Sequence, residues 1–382
     1  MRILVDYRPA LRQRSGVGEY MHNLVRAYTH HPIAAGDEVA VFTSSWKDRP
    51  AAGLSSALGA RVVDRRVPVR VLNYAWHRLE WPPLEMLGVA SDIVHAAHPL
   101  LIPSRSAAQV VTVHDLFFLT EPQSTRAEVR RDYAELAARH IRRADAVVAN
   151  SRETASQIER AFGVGGNRIH VCSPGPPAWQ RLGRAPNVPA DGYVLFVGTL
   201  EARKNIGVLL DAYTALAERD DRMPPLVLAG RATPDAAVWL ERLSRAPLAG
   251  RVRHLGYVPD AEREAIYAGA RLLVMPSRYE GFGIPVLEAM SAGVPVVAAN
   301  RGALPEVLGD AGTLVDPDDA EALAAAMHRV LIDDTFATVC AQRGLDRARE
   351  FSWERAALTL HDAYETALAN RRDRGSGTGK PT

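Results

Sequence analysis

Short runs of apolar, β-prone residues alternate with longer segments of helical spacing along most of the chain. In the first half, helical patterns such as residues 17–28 and 126–144 separate most of the apolar runs. This alternation predicts parallel strands that are connected by crossover helices, as in a doubly wound sheet. The strands predicted in this half are residues 2–6, 38–43, 93–95, 110–114 and 146–149.

The alternation stops at residues 173–191, where Pro and Gly recur, and then starts again. The strands predicted after this break are residues 193–198, 226–229, 252–254, 272–275 and 294–298. We therefore predict an α/β fold with two doubly wound, Rossmann-like domains. The predicted boundaries are 1–178 for the first domain, 179–191 for a linker, 192–355 for the second domain, 356–370 for a helix that packs back toward the first domain, and 371–382 for a disordered tail.

Composition excludes several classes of protein. A chain of 382 residues is long enough for two α/β domains, and a formal net charge of +2 gives no reason to expect nucleic acid as a partner. Cys172 and Cys340 are the only cysteines, which excludes a disulfide framework and fits a reducing compartment. The first residues lack the apolar run of a signal peptide, so we expect a cytoplasmic protein.

Two adjacent cations follow the first predicted strand of the second half. Residues 198–205 read Gly-Thr-Leu-Glu-Ala-Arg-Lys-Asn, and a helix is predicted to begin near Asn205, a favoured N-cap residue. Helix N-termini attract anions, Arg binds phosphate oxygens in a bidentate manner, and Lys supplies a compact charge. Arg203 and Lys204 are therefore candidates for phosphate binding, with a solvated loop as the alternative.

Two glutamates and two glycines follow a later strand of the same half. Residues 280–288 read Glu-Gly-Phe-Gly-Ile-Pro-Val-Leu-Glu, with a helix predicted after the glycines. Gly281 and Gly283 let the backbone approach a ligand closely. Glu288, within the helix, can accept hydrogen bonds from two vicinal hydroxyls, and Glu280, in the turn, can reach the hydroxyls of a sugar. The alternative is that Glu280 caps the helix and Glu288 lies on the surface.

These motifs resemble those of the retaining glycosyltransferases of family four, which have the GT-B fold. Residues 276–297 are similar to the family's E-x7-E segment, residues 198–205 to its phosphate-binding loop, and residues 254–277 to the sequence between them. The resemblance is strong over 193–317 and weaker over the N-terminal half. Many members carry Arg where this chain has Thr199, so Arg203 would carry more of the charge compensation.

The resemblance implies two domains that face each other across a cleft, with the donor site in the C-terminal domain and the acceptor site mainly in the N-terminal one. Arg203 and Lys204 would bind the diphosphate, and Glu288 would bind the ribose. Glu280 would hold the donor sugar, together with the backbone around Phe282 and Gly283. The further donor-binding candidates are Gly230, Tyr257 and Val258 near the base, and Gly281 and Ile284 at the start of the helix.

The first half contributes two further candidate groups. Gly16 and Gly18 follow the first strand and could let the backbone approach the reacting sugar, although a plain turn explains them equally well before the resemblance is considered. His114 and Asp115 end another predicted strand. A His at a strand end is often structural, but the resemblance implies that His114 contacts the donor sugar near the reacting carbon. Asp115 would then orient His114.

No metal cofactor is expected, because Arg203, Lys204 and helix dipoles would neutralise the leaving diphosphate. The arginines of residues 126–143 are either a solvated face or a contact for acidic headgroups. Tyr74, Trp76 and Trp81 lie near Arg70 and Arg78, and they are explained either by core packing or by an acceptor or membrane-contact surface. Peripheral contact with the cytoplasmic membrane face therefore stays open.

The family reading implies same-face attack, in which the leaving phosphate oxygen helps to deprotonate the acceptor hydroxyl. Similarity to bacterial mannosyltransferases of polysaccharide assembly favours GDP-mannose as donor and a glycan or lipid-linked acceptor, with UDP-glucose as the main alternative donor. A non-catalytic nucleotide-sugar-binding subunit would lack His114 or the glycine turn. The other alternative is a phosphorylase or a dinucleotide enzyme with paired α/β domains. A dinucleotide enzyme would need the third glycine of Gly-x-Gly-x-x-Gly, which residues 15–20 do not supply.

Overall fold

In the computed structural model, the structure describes residues 1–11, 16–120, 132–179, 185 and 187–376. The chain divides into two units. Unit 1 comprises Met1–Pro174 and Ser352–Thr382, and unit 2 comprises Gly175–Phe351. Each unit contains a parallel sheet with helices packed against it, which confirms the predicted pair of Rossmann-like domains.

Within the described residues of unit 1, seven parallel strands form one sheet in the order β3-β2-β1-β4-β5-β6-β7. The strands are β1 Arg2–Asp6, β2 Glu38–Ser44, β3 Arg61–Arg65, β4 Ile93–Ala96, β5 Ala108–Val113, β6 Ala146–Ala149 and β7 Ile169–Val171. The helices are α1 Val17–His30, α2 Leu54–Leu58, α3 Val69–Tyr74, α4 Phe117–Thr120, α5 Tyr133–Arg143 and α6 Arg152–Phe162. The strand order reverses between β1 and β4.

In the described part of unit 2, six parallel strands form a sheet in the order β10-β9-β8-β11-β12-β13. The strands are β8 Tyr193–Val197, β9 Leu226–Ala229, β10 Val252–Gly256, β11 Ala270–Met275, β12 Val296–Ala299 and β13 Thr313–Val315. The helices are α7 Ile206–Arg219, α8 Ala237–Arg242, α9 Asp260–Ala268, α10 Ile284–Ser291, α11 Leu304–Leu308, α12 Ala320–Ile332 and α13 Asp334–Ala348. Here the order reverses between β8 and β11, and ligands of such sheets bind beyond the carboxyl ends of the strands at this point.

The last helix, α14 Trp353–Ser376, is part of unit 1, where its apolar face packs against α1 and the sheet. It begins before the predicted residue 356 and continues past residue 370. The prediction of disorder from residue 371 is therefore wrong as far as residue 376, because Arg371 and Arg374 donate hydrogen bonds to the carbonyls of Arg105 and Arg143. Residues 377–382 lie outside the described part of the chain.

The predicted linker also differs from the structure. The described residues of this segment, 175–179, 185 and 187–191, group with unit 2. The ring of Trp179 lies 5.1 Å from that of Tyr267, and Val188 packs against the core of unit 2. Apolar side chains in a Pro- and Gly-rich segment therefore attach it to the domain that follows. Residues 180–184 and 186 of this segment are outside the described residues.

Candidate functional site

The loop that follows β8 lies where the strand order of unit 2 reverses. Residues Ala202–Lys204 form a single 3-10 turn, and α7 begins at Ile206. Asn205 stands at the N-cap position, but its side chain does not cap α7. Instead, its Nδ2 donates hydrogen bonds to Pro276 O at 3.1 Å and Pro317 O at 2.6 Å. Asn205 thus ties this loop to the ends of β11 and β13, which corrects the capping role expected from the sequence.

Glu280 lies beside the two cations. Lys204 Nζ is 2.5 Å from Glu280 Oε1, and Arg203 Nη1 is 3.5 Å from Oε2. The Lys204 and Glu280 side chains are each only 8% exposed. Burial alone would raise the pKa of Glu280, but Lys204 and Arg203 hold that pKa below its ordinary value, so the carboxylate stays ionised at neutral pH. The structure therefore brings together a cation pair and a carboxylate that the sequence placed in separate motifs.

The neighbouring backbone fixes the position of this cluster. Arg278 N–H donates to Arg203 O at 2.8 Å, and Ala303 N–H donates to Glu280 O at 3.0 Å. A Cβ on Gly302, which has a φ of +58°, would lie 2.7 Å from Glu280 O. Gly302 was missed in the sequence analysis, although its place just after β12 is where a functional loop is expected.

The turn before α10 has a structural need for glycine. Gly283 is the N-cap residue with a φ of +102°, and a Cβ there would lie 2.7 Å from Leu304 Cδ2. Phe282 packs edge-on against Phe351, with ring centroids 5.6 Å apart, so its side chain belongs to the core. The buried Gly281 and the half-buried Ile284 flank this turn. Glu280 does not cap α10, because Gly283 occupies that position.

Glu288 is buried rather than on the surface, with its side chain 4% exposed. Its Oε1 accepts a hydrogen bond from Arg263, and its Oε2 accepts one from the Tyr267 hydroxyl at 2.7 Å. Arg263 was missed in the sequence analysis. The i, i+4 spacing of Arg263 and Tyr267 on α9 places both on one helix face, but nothing in the sequence indicates that this face meets α10.

The glycine at residue 230 is required by the loop after β8. A Cβ on Gly230 would lie only 1.9 Å from Gly198 O. Its own N–H donates to Gly256 O, and its carbonyl accepts from His254 Nε2, both at 2.8 Å. The ends of β8, β9 and β10 are therefore held together at this position.

Tyr257, which was proposed to lie near the nucleobase of the donor, has a guanidinium group over its ring. The Arg231 guanidinium lies 4.8 Å from the centroid of the Tyr257 ring. Val258, in contrast, packs against the core of unit 2. Tyr257 and Arg231 together provide a flat surface, whereas the Val258 side chain contributes to packing.

In unit 1, His114 directly follows β5. Its Nε2 lies 3.0 Å from Ala97 O, and the Tyr20 ring contacts it edge-on at 5.1 Å. Because a carbonyl only accepts, Nε2 carries the proton and Nδ1 is an acceptor. Desolvation lowers the pKa of His114 to about 4, so the ring is neutral at physiological pH. Asp115 accepts from Phe117 N–H at 3.2 Å, so it begins α4 instead of orienting His114.

Gly16 and Gly18 lie at the start of α1. Gly16 is the N-cap residue with a φ of +51°, and a Cβ on Gly18 would lie 2.7 Å from Pro9 O. Local backbone geometry therefore explains why glycine occupies both positions. Ser15, which precedes them in the motif, lies outside the described residues. 

A charged cluster at the carboxyl end of β1 was also missed. Arg8 Nε is 2.8 Å from Asp6 Oδ1, and His98 Nε2 is 3.6 Å from Asp6 Oδ2. Asp6 is fully buried, which would raise its pKa, but Arg8 holds that pKa below the ordinary value. The Asp-Tyr-Arg-Pro sequence, which begins at the last residue of the first strand, was the available signal.

The structure describes only part of the basic segment 126–143, and it places the aromatic residues near residues 74–81 in different surroundings. Arg126, Arg130 and Arg131 lie outside the described residues, whereas Arg143, on α5, pairs with Glu80 at 2.6 Å. Trp76 is fully buried against Phe42 and is therefore a core residue. Tyr74 and Trp81 are 64% and 56% exposed. No helix in the described part of the chain has the length and apolar character needed to cross a membrane.

Two protein-family models match the chain. The model described as "Glycosyltransferase Family 4" matches residues 14–176, and the one described as "Glycosyl transferases group 1" matches residues 191–333. Together they cover the main part of both units.

Among characterised proteins, the chain is 36% identical to O-antigen chain mannosyltransferase B of Escherichia coli over 285 residues, which is 72% of this chain and 74% of that protein. It is 29% identical to D-inositol 3-phosphate glycosyltransferase of Corynebacterium glutamicum over 297 residues, 73% of this chain and 67% of that protein.

Solved structures share the fold at low sequence identity. A sucrose-phosphate synthase from Thermosynechococcus elongatus matches with a TM-score of 0.75 and 22% identity, over 97% of this chain and 99% of its own. WaaG, a glycosyltransferase involved in lipopolysaccharide biosynthesis, matches with a TM-score of 0.70 and 18% identity, over 95% of this chain and 99% of its own.

Proposed function

Since the chain belongs to the family 4 glycosyltransferases of the GT-B fold, we propose that this glycosyltransferase moves a mannosyl residue from GDP-mannose to a glycan or lipid-linked acceptor. We further propose that transfer retains the anomeric configuration and requires no metal ion. The choice of mannose is supported by the similarity to the E. coli O-antigen mannosyltransferase. The observation that carries the site assignment is the cluster of Arg203, Lys204 and Glu280.

The diphosphate of the donor would lie between this cluster and the start of α7. An ammonium group has three N–H donors, of which Glu280 takes one from Lys204. The Asn205 side chain leaves the first turn of α7 uncapped, so its backbone N–H groups can donate to phosphate oxygens. Lys204 would then bridge the phosphate and the carboxylate of Glu280.

The two glutamates would bind different parts of the donor. Glu280 is held ionised by its cations, so it can accept hydrogen bonds from the hydroxyls of the transferred sugar. Each oxygen of Glu288 already accepts one hydrogen bond, from Arg263 or from Tyr267. The two vicinal ribose hydroxyls would donate to this carboxylate, which Arg263 and Tyr267 hold in place.

His114 is suited to accept a hydrogen bond from a saccharide hydroxyl through Nδ1, because its Nε2–H is held by Ala97. Its low pKa argues against a role as a proton donor. The acceptor proton would instead pass to an oxygen of the leaving phosphate. In that step the acceptor oxygen bonds to C1 of mannose while the bond between C1 and the phosphate oxygen breaks.

Protein cations would neutralise the leaving diphosphate in place of a metal ion. Among the described residues, no cluster of three His, Cys, Asp or Glu side chains could hold a metal. One Asp-x-Asp triplet occurs at residues 316–318, but Asp316 lies 3.3 Å from Arg301 and Asp318 lies 2.8 Å from Arg278. Transfer should therefore continue in excess EDTA, and loss of activity that Mg²⁺ or Mn²⁺ restores would contradict this part of the proposal.

We also propose that unit 1 contacts an anionic membrane surface, where a lipid-linked acceptor would lie. Val71 and Leu79 are 59% and 61% exposed, close in sequence to the exposed Arg66. Apolar side chains and nearby cations both favour an anionic lipid surface. The double variant Val71→Glu/Leu79→Glu should lose sedimentation with phosphatidylglycerol vesicles, while Val238→Glu, which changes an exposed residue of unit 2, should retain it.

The assignment of the two glutamates is tested by turnover and nucleotide affinity of purified variants. Glu280→Gln should lower turnover strongly and leave GDP affinity nearly unchanged, because GDP has no sugar at that position. Glu288→Gln should weaken GDP and GDP-mannose alike. The exposed Glu262→Gln on α9 is the matched control. If Glu280→Gln loses GDP binding but keeps its turnover, the two roles are misassigned.

A further inference from the structure

A cavity lies in unit 1, at the opposite edge of the sheet from His114. It has a volume of about 370 Å³, within the range of small-molecule sites. Gln109, near the start of β5, and Asp145, just before β6, line it. Gln109 and His114 are five positions apart on an extended strand, a separation of roughly 16 Å. This amino-edge cavity is therefore distinct from the carboxyl edge where His114 lies.

The amino-edge cavity carries an excess of positive charge. Its wall includes four arginines against two carboxylates. Glu80 pairs with Arg143 at 2.6 Å, and Asp145 pairs with Arg374. Among the described residues, Arg105 and Arg371 have no carboxylate partner. These two guanidinium groups can therefore bind an anion without first losing an ion pair.

Two buried polar atoms in the wall have no hydrogen-bond partner among the described residues. His140 is 1% exposed, and its Nδ1 accepts from Leu101 N–H at 2.9 Å, so Nε2 carries the ring proton. This Nε2–H has no acceptor within hydrogen-bond distance, since Glu80 Oε1 lies 3.9 Å away. Gln109 is 9% exposed, and its Oε1 also has no donor. The wall thus presents one donor and one acceptor, in addition to the free cations.

The mouth of the cavity includes an aromatic side chain. Trp81 is 56% exposed and lines the cavity. Trp76, also in the wall, is fully buried and donates its indole N–H to Pro82 O at 3.0 Å, so it is fixed in place. An exposed indole face beside a polar cavity provides an apolar surface for the flat face of a ring.

We propose that the amino-edge cavity binds a phosphorylated sugar. The phosphate would lie against Arg105 and Arg371, His140 Nε2–H would donate to a ligand oxygen, and a sugar hydroxyl would donate to Gln109 Oε1. The sugar ring would pack on Trp81. A phosphate alone would leave the Trp81 ring without an apolar face to pack on, and a neutral sugar would leave the two arginines without an anion. The C-terminal helix α14 closes this site, since Asn370 and Arg374 bond to Asp145.

The test is calorimetric titration of the full chain with mannose 1-phosphate, with GDP and UDP present at saturation so that the nucleotide site is occupied. The double variant Arg105→Gln/Arg371→Gln should bind about tenfold or more weakly, as expected for lost charge-assisted contacts. The matched control is Arg61→Gln/Arg372→Gln, which removes the same charge from two exposed positions outside the cavity and should bind as the parent does. Because nucleotide binding is measured separately, failure here leaves the proposed transferase function untouched.

Further arms identify the ligand. Methyl mannoside and inorganic phosphate should each bind more weakly than mannose 1-phosphate, and Trp81→Ala should weaken only the sugar-bearing ligand, with the exposed Trp46→Ala as its control. Phosphatidylcholine vesicles that carry mannosyl phosphoundecaprenol test a lipid-linked source. Capture on these vesicles, or binding of the free compound, that is lost in the arginine double variant supports the site and shows which source it takes. Absence of binding on both arms, or equal binding by the double variant and its parent, would overturn the proposal.

Discussion

The ion pair between Lys204 and Glu280 should behave as a coupled unit in the stability of unit 2, whereas nucleotide binding should depend on Lys204. The two groups are 2.5 Å apart, and each side chain is 8% exposed. Glu280→Leu leaves the Lys204 ammonium buried without its carboxylate, a loss that costs about 3–5 kcal/mol in comparable sites. Lys204→Met should cost less, about 2–3 kcal/mol, because Arg203 still lies 3.5 Å from the other carboxylate oxygen.

The double variant Lys204→Met/Glu280→Leu replaces both charges by apolar groups of similar size. Such replacement of a buried pair is often close to neutral, so the double variant should be more stable than Glu280→Leu alone. The two single costs should therefore not add, and the double variant should be less destabilised than their sum by at least about 3 kcal/mol. The same double variant should bind nucleoside diphosphate poorly although its fold is intact.

Hydrogen-exchange mass spectrometry of peptides that cover β8 and β11 measures the opening free energy of unit 2 separately from that of unit 1. Calorimetry with GDP measures binding in the same four proteins. Additive effects on opening, or a double variant that binds GDP as tightly as its parent, would refute the inference that this pair holds the phosphate loop for a ligand.

Three other predictions concern separate features. Gly230→Ala should open the end of β9 and weaken GDP binding, because its Cβ would lie 1.9 Å from Gly198 O. The control Gly250→Ala changes another positive-φ glycine, where a Cβ meets nothing within 4 Å, and should keep GDP binding intact. Equal GDP affinities of the two variants would contradict this reason for Gly230. Arg263→Met should lower GDP affinity through Glu288 more than Arg245→Met, which changes an exposed ion pair; calorimetry that ranks them in the reverse order would remove Arg263 from the site. Unit 1 should lose stability as the pH falls from about 6.5 toward 4, because burial lowers the pKa of His95 to about 3. In this range the unfolded chain takes up a proton that the folded chain does not, and the free energy of unfolding should fall by up to about 4 kcal/mol. Exchange protection of β4 and β5 that is equal at pH 7.5 and pH 5, after correction for intrinsic rates, would contradict the predicted loss of stability.

The central strands were predictable because their apolar runs are buried on both faces. The strands that were missed, β3, β7 and β13, are all edge strands. An edge strand meets one neighbour only, so it can be short and partly polar, as the burial pattern of Arg61–Arg65 shows. The C-terminal helix was expected to end early, since its last turns are held by arginine side chains rather than by an apolar face.

The candidate site was predictable where residues close in sequence act together, as in residues 198–205 and 280–288. It was not predictable where the contact crosses the fold. The partners of Glu280 and Glu288 are Lys204 and Arg263, which come from other loops and helices, and no spacing rule relates them. Local patterns identify which groups carry charge, whereas the sheet order decides which of them meet.

The most direct test of the account is transfer by the purified protein from a panel of nucleotide sugars to a lipid-linked mannoside, in EDTA, with the new linkage assigned by NMR. The account predicts an α-linked mannosyl product from GDP-mannose, in which the donor's configuration is retained, and loss of that product in Glu280→Gln. Transfer from UDP-glucose alone would contradict the donor assignment, and a β-linked product would contradict retention. A protein that binds nucleotide sugars but transfers from none of them to this or any other glycan acceptor would contradict the central claim.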